Sequence, residues 1–152
     1  MILIDGMNLC YRAHYTHQKL SYKNQNTGVI YGFLVLLMGI YERFHDSNFV
    51  FCWDSKQSYR QRILKTYKEN RRNSTPEQQA ERKLIRIQAR KLRTQILPEI
   101  GFKRQYRQFG YEADDLIAQA VRETEERVII ISGDHDLFQL LSSQVRIFNG
   151  SY

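Results

Sequence analysis

The sequence has only two cysteines, Cys10 and Cys52, among its 152 residues. That scarcity excludes a disulfide scaffold, and the pair has no metal-ligand spacing, so both are read as buried thiols in a reducing compartment. No apolar run approaches the roughly 20 residues needed to cross a bilayer. The amino terminus enters an apolar strand pattern at once, without a basic leader. No membrane partner is therefore expected, and the expected setting is soluble and cytoplasmic. Internal repeats and low-complexity segments are also lacking. What remains is one domain's length of chain with 42% apolar residues, enough to bury a core.

Charge of one sign is scarce in one place. From Lys56 to Arg93 thirteen bases face only three acids, Glu69, Glu77 and Glu81, a net of +10. The remaining ten bases and thirteen acids leave the rest of the chain at −3, although the whole carries +7. A basic arm on a mildly acidic body suggests a polyanionic partner. The competing reading is a solvated charged face, but salt-bridged surface helices mix signs more evenly than this arm does.

Three apolar strands each deliver an aspartate at their carboxyl ends. Val128-Ile129-Ile130-Ile131 runs into Ser132-Gly133-Asp134-His135-Asp136, Met1-Ile2-Leu3-Ile4 into Asp5-Gly6, and Asn48-Phe49-Val50-Phe51-Cys52-Trp53 into Asp54. β-branched runs bounded by glycine suit strands buried on both faces of a parallel sheet. Ligands of such sheets bind at the carboxyl edge. Capping and solvation account for any one of these loops; the threefold recurrence favours a site.

Between them, the patterning predicts a short helix over 11–16, a polar loop over 21–28 and a helix over 29–45. Helices are expected over 57–68 and 76–97, the latter starting at Pro76 with a thin apolar stripe of Leu84, Ile87, Leu92 and Ile96 that packs weakly on the body. A strand over 102–106, a helix opening at Gly110-Tyr111-Glu112-Ala113-Asp114-Asp115, a turn of helix over 137–141 and a last strand over 145–148 complete the expectation.

Asp5, Asp54, Glu112, Asp114, Asp115, Asp134 and Asp136 supply seven carboxylates with no accompanying His/Cys cluster. Oxygen-only ligands disfavour zinc and suit Mg²⁺ or Mn²⁺. A carboxylate-held pair of ions is a standard device for phosphodiester displacement, and Lys68 or Arg71 is placed to neutralise a scissile phosphate. First-turn acids also favour a helix dipole. In a regular helix Glu112, Asp114 and Asp115 do not aim at one point; Glu112 and Asp114 converge only if Glu112 precedes the first full turn.

These pieces, together with Arg60 and Tyr67-Lys68-Glu69-Asn70-Arg71, resemble the metal-dependent 5′-nucleases, which include flap endonucleases, 5′→3′ exonucleases and the 5′-nuclease domain of bacterial DNA polymerase I. The matching motifs are Ile4-Asp5-Gly6-x-Asn8, Phe51-Cys52-Trp53-Asp54, Gly110-Tyr111-Glu112-Ala113-Asp114-Asp115 and Ser132-Gly133-Asp134-His135-Asp136, in the family's order across nearly the whole chain.

The resemblance implies an α/β, PIN-like fold: a mostly parallel central sheet flanked by helices, forming one catalytic core over 1–152 with a basic helical arch inserted at 56–97. It implies two Mg²⁺ or Mn²⁺ ions on the seven carboxylates, with Asp134, Lys68 and Arg71 as catalytic residues. Tyr11, Arg60, Tyr67, Lys68, Arg71 and Arg72 would contact DNA, the tyrosines by stacking, although ordinary tyrosine packing competes for Tyr67 especially. The implied substrate is DNA with a 5′ flap, a 5′ end or a single-strand/duplex junction, in a bacterial or phage-infected cell.

The family's further Gly-Asp-x-x-Asp-Asn segment and helix-hairpin-helix region are not in this sequence, which leaves three readings open: an excised nuclease core, a naturally short one, or one half of a split enzyme whose partner is a separate duplex-binding subunit. A DNA-binding nuclease-like subunit with weak or no catalysis and a PIN-type ribonuclease are the alternatives.

Overall fold

The computed structural model describes residues 1–56, 58–59 and 74–149. Along the chain, β1 (Ile2–Asp5) leads into α1 (Gly6–His17), a hairpin of β2 (Ser21–Tyr22) and β3 (Gln25–Asn26), α2 (Gly28–Phe44) and β4 (Phe49–Cys52). Then come α3 (Pro76–Lys91) with a π-helical turn (Leu92–Ile96) and a last helical turn (Leu97–Glu99), β5 (Gln105–Tyr106), α4 (Ala113–Glu123), β6 (Val128–Ile131), a 3₁₀ helix (His135–Leu140) and β7 (Val145–Phe148). The helix expected over 57–68 lies outside the described residues except for Ser58 and Tyr59. Arg60, Tyr67, Lys68, Arg71 and Arg72 lie outside them too.

The sheet has the order β5-β4-β1-β6-β7, with every pairing parallel. Side chains alternate across it. Ile2, Ile4, Phe49 and Phe51 enter one core together with Phe33, Ile85 and Leu92 from the helices. Leu3, Val50, Cys52, Val128 and Ile130 enter the other, closed by Ile117 of α4 and Leu137 of the 3₁₀ helix. Burial on both faces explains why the strands read as unbroken apolar runs. Among the described residues, no helix is long and apolar enough to cross a membrane.

Four local expectations change. The first helix starts at Gly6 rather than near Tyr11, because Asp5 acts as its N-cap and accepts the Asn8 N–H at 3.0 Å. The polar stretch after it is a hairpin, its turn made by Lys23 and Asn24 at φ of 49° and 62°, the left-handed pair that tight hairpins favour. Only Gln105 and Tyr106 form the edge strand; Phe102 instead packs its ring against Phe49 and Phe51.

The fourth change concerns α3, which does not pack weakly. Thr75 and Gln78 close a capping box at its start, and Ile85, Ala89, Leu92 and Leu97 are buried in the main core while Ile87 is 60% exposed. Buried Gln88 donates to Asn26 O and Oδ1 at 3.0 Å each and accepts the Ile30 N–H at 3.1 Å. The π turn inserts an extra residue into the helical register, which puts Leu97 in the core and leaves Ile96 at its margin.

Candidate active site

The sheet register sets Asp5 level with Cys52, and Ile4 level with Phe51 and Ile131. The three strands therefore release their next residues at the same edge. Asp5 is buried, with Oδ1 accepting the Asn8 N–H and Oδ2 accepting the Ser132 hydroxyl at 3.1 Å. Burial is the main reason its pKa rises from 3.8 to about 7. The Asn8 and Ser132 hydrogen bonds hold it down, while the charges of Asp54 and Asp134 push it further up. The three carboxylates thus share one electrostatic neighbourhood.

Each neighbour is pinned by backbone. Asp54 Oδ1 accepts the Ala113 N–H at 2.9 Å, which docks the amino terminus of α4 against the end of β4. Asp134 is exposed and accepts the Asp136 N–H at 2.9 Å, and its own N–H donates to Ser132 Oγ at 3.1 Å. Asn8 ties the loops from β1 and β6 together by accepting the Gly133 N–H at 3.1 Å. Gly6 is required here, because a Cβ at that position would meet the Trp53 ring at 2.6 Å.

Glu112 is buried and occupies the N-cap of α4, in a reciprocal capping box with Asp115; the Glu112 N–H donates to Asp115 Oδ2 at 3.0 Å. It therefore precedes the first turn, the condition under which it and Asp114 are free of the regular helical spacing. Asp114, Asp115 and Asp136 line an open cavity of about 620 Å³ with Tyr111, Arg122 and Leu137. Asp5, Asp54 and Asp134 do not line it. Six of the seven carboxylates thus fall into two neighbourhoods, linked through the Asp134–Asp136 hydrogen bond and through the docking of α4 on Asp54, while Glu112 sits at the N-cap of α4.

The donor chemistry fits a hard divalent cation. Cys10 and Cys52 are buried and unbridged, and burial drives the Cys52 thiol to about 12 and Cys10 well above its ordinary value, so neither offers a thiolate. Among the described residues, no three His, Cys, Asp or Glu side chains converge into a ready cage. Mg²⁺ does not need one, since it keeps several waters and binds through one or two carboxylates. The feature that calls for a cation is Asp5, a buried carboxylate facing two others.

Tyr11 is half-buried in α1 and packs against the main core. His135 is exposed and stacks on Phe138, with ring centroids 5.0 Å apart. Ser132, which joins Asp5 to the Asp134 loop, is the residue that sequence reasoning gave no role. Its signal was its place between an apolar strand and Gly-Asp, where a hydroxyl bonds nearby backbone.

Residues 1–152 match the family described as "5'-3' exonuclease, N-terminal resolvase-like domain". A 5'-3' exonuclease of Buchnera aphidicola (subsp. Schizaphis graminum) is 32% identical over 155 residues, covering 98% of this chain and 51% of the relative. DNA polymerase I of Bacillus subtilis is 30% identical over 152 residues, covering 97% of this chain and 16% of the relative. The chain thus spans about half the length of the first and a small part of the second. A bacteriophage T5 flap endonuclease, solved as a pseudo-enzyme–product complex with DNA and metal ions, superposes with a TM-score of 0.73 at 21% identity, over 97% of this chain and 53% of that one. That likeness concerns the fold.

Proposed function

The chain belongs to the family of 5'-3' exonuclease N-terminal resolvase-like domains, and from that premise we propose that it is the catalytic core of a divalent-metal-dependent 5′-nuclease that hydrolyses DNA phosphodiesters. The observation that carries the reading is Asp5, buried at the sheet edge between Asp54 and Asp134 and fixed by Asn8 and Ser132. Asp5, Asp54 and Asp134 would hold one Mg²⁺ or Mn²⁺, and Glu112, Asp114, Asp115 and Asp136 would complete the set for two ions, directly or through water. Such ions, when bound, activate a water and neutralise the leaving oxygen.

The chain's own groups supply the rest. Asp5, whose pKa burial raises to about 7, would exchange its proton for the cation it holds. Ser132 and the Ala113 N–H keep Asp5 and Asp54 aimed at the edge. Lys68 and Arg71 would neutralise the scissile phosphate, Arg60 and Arg72 would bind neighbouring phosphates, and Tyr11 and Tyr67 would stack on bases of the 5′ strand. The substrates are DNA with a 5′ flap, a 5′ end or a single-strand/duplex junction, met in the cytoplasm.

The test is cleavage of end-labelled 5′-flap DNA with Mg²⁺ and then Mn²⁺, with Asp134→Asn as control and an RNA of the same form as comparison. Metal-dependent cutting of DNA, lost in the variant while the fold is kept, is expected. Wild-type activity in Asp134→Asn would refute the site, and preference for RNA would make the protein a ribonuclease.

A further inference from the structure

Past β5 the chain runs alongside the segment that leaves β4. Arg107 Nε donates to the Asp54 carbonyl at 3.1 Å, the Ser55 N–H to the Tyr111 carbonyl at 3.1 Å and the Tyr59 N–H to the Gly110 carbonyl at 2.8 Å. Gly110 closes the turn at φ +87°, where a Cβ would lie 2.1 Å from the Tyr59 ring. Tyr59 consequently stands edge-on to Phe109 and Tyr111, at 6.3 and 5.6 Å between centroids. Phe109 is nevertheless 57% exposed, beside the residues that bear Asp54 and Glu112.

Cations gather at the same place. Arg93 lies in the π turn that follows α3, one helical turn from Arg90, and π turns often mark functional sites. Burial first, then the charges of Arg107 and Arg90, lower its proton affinity, so Arg93 feels a like charge from each of the two. Among the described residues, no carboxylate forms an ion pair with any of them. Crowded like charges next to exposed aromatic rings form the combination that binds single-stranded nucleic acid, with phosphates on the cations and bases on the rings.

We propose that Arg90, Arg93 and Arg107, with Phe109 flanked by Tyr59 and Tyr111, form a binding surface for single-stranded nucleic acid that leads the strand to Asp54. It deepens the nuclease reading above and rests on it for the strand's destination. Arg107 is the joint: its guanidinium holds the Asp54 carbonyl from one nitrogen and leaves its other N–H groups for a phosphate. Phosphates on Arg93 and Arg90 extend the path along α3.

The experiment measures binding of a fluorescent oligothymidylate across a salt series in EDTA, where no hydrolysis intervenes, and cleavage of 5′-flap DNA in parallel. For the Arg90→Gln/Arg93→Gln variant, which leaves the Asp54 contact untouched, the slope of log K against log salt is expected to fall by about 1.4, or about 0.7 per lost phosphate contact. A charge-matched Lys19→Gln/Lys23→Gln variant keeps the wild-type slope. Phe109→Ala weakens binding about tenfold at constant slope, and Arg107→Lys retains more affinity than Arg107→Gln.

Equal slopes in both paired variants, wild-type affinity in Phe109→Ala or no binding by the wild-type chain would overturn the surface. Wild-type protein that binds the oligonucleotide but does not cut flap DNA would instead remove the nuclease reading and leave the surface standing.

Discussion

The hydroxyl of Ser132 donates to Asp5 Oδ2 at 3.1 Å and, on the same oxygen, accepts the Asp134 N–H at 3.1 Å, so one side chain couples two carboxylates 129 positions apart in sequence. Ser132→Ala removes one of the two hydrogen bonds that hold Asp5's pKa down, the other being from Asn8, and leaves the Asp134 N–H without its partner. The expected cost is about 1–3 kcal/mol of stability. Mn²⁺ affinity at neutral pH should fall, because a proton competes better for Asp5. Titration calorimetry reads both the affinity and the protons released; Thr at this position should restore them in part. Unchanged affinity in Ser132→Ala would show that the coupling is incidental.

The raised pKa of Asp5 makes metal-free stability fall as pH rises. Between its ordinary value of 3.8 and about 7 the folded chain holds a proton that the unfolded chain has released, so folding is favoured fully below pH 4 and loses that advantage as pH passes 7. At 1.36 kcal/mol per unit the loss is at most about 4 kcal/mol. Asp5→Asn keeps the shape and lacks the charge. In EDTA it should exceed wild type in urea resistance at pH 8, lose most of that lead at pH 5, and bind no metal at either. Parallel stability profiles for the two proteins would contradict the assignment.

Strand order at the active edge was legible because burial on both faces writes itself as apolar runs, and each run ends in an aspartate. The hairpin at Lys23-Asn24 was not, since neither residue is the glycine that usually announces a left-handed turn. The start of α1 was hidden because Gly6 and Asn8 are poor helix formers locally; the Trp53 ring explains the glycine, the Gly133 N–H explains the asparagine, and the Asp5 cap starts the helix despite both. The π turn escaped for a related reason: regular 3.6-residue spacing from Leu92 puts Ile96 on the buried face, whereas the inserted residue brings Leu97 there. The separation of Asp114, Asp115 and Asp136 from Asp5, Asp54 and Asp134 depends on where α4 docks, and that is set by a tertiary bond from Ala113 to Asp54, which leaves no local signal.

Gln88 tests the docking of α3. Its amide satisfies Asn26 O, Asn26 Oδ1 and the Ile30 N–H while buried. Gln88→Ala takes the partner from the Ile30 N–H, removes one donor each from Asn26 O and Oδ1, the latter keeping the Gly28 N–H, and opens a gap, for an expected loss of about 2–4 kcal/mol. Gln88→Leu fills the space but not the bonds and should recover only part. Chemical denaturation of the three proteins gives the order. If Leu equals Gln, packing alone holds the helix.

Gly6 lies directly against the Trp53 ring, which is 2.6 Å from where a Cβ would stand. The indole stacks on Phe33 at 6.1 Å and its Nε1–H donates to Gln105 Oε1 at 2.8 Å, so the ring has no room to withdraw from a methyl group at position 6. Gly6→Ala should therefore cost about 1–3 kcal/mol through overpacking. It should also reduce DNA cleavage disproportionately, since Trp53 immediately precedes Asp54. Trp53→Leu makes room while losing the stack and the hydrogen bond. In a double-mutant cycle Gly6→Ala should cost clearly less on the Trp53→Leu background than in wild type, a coupling well above the few tenths of a kcal/mol seen for independent sites. Strict additivity would mean that the strand end accommodates a side chain at Gly6 by moving away from Trp53, and the rigidity ascribed to this edge of the site would then be wrong.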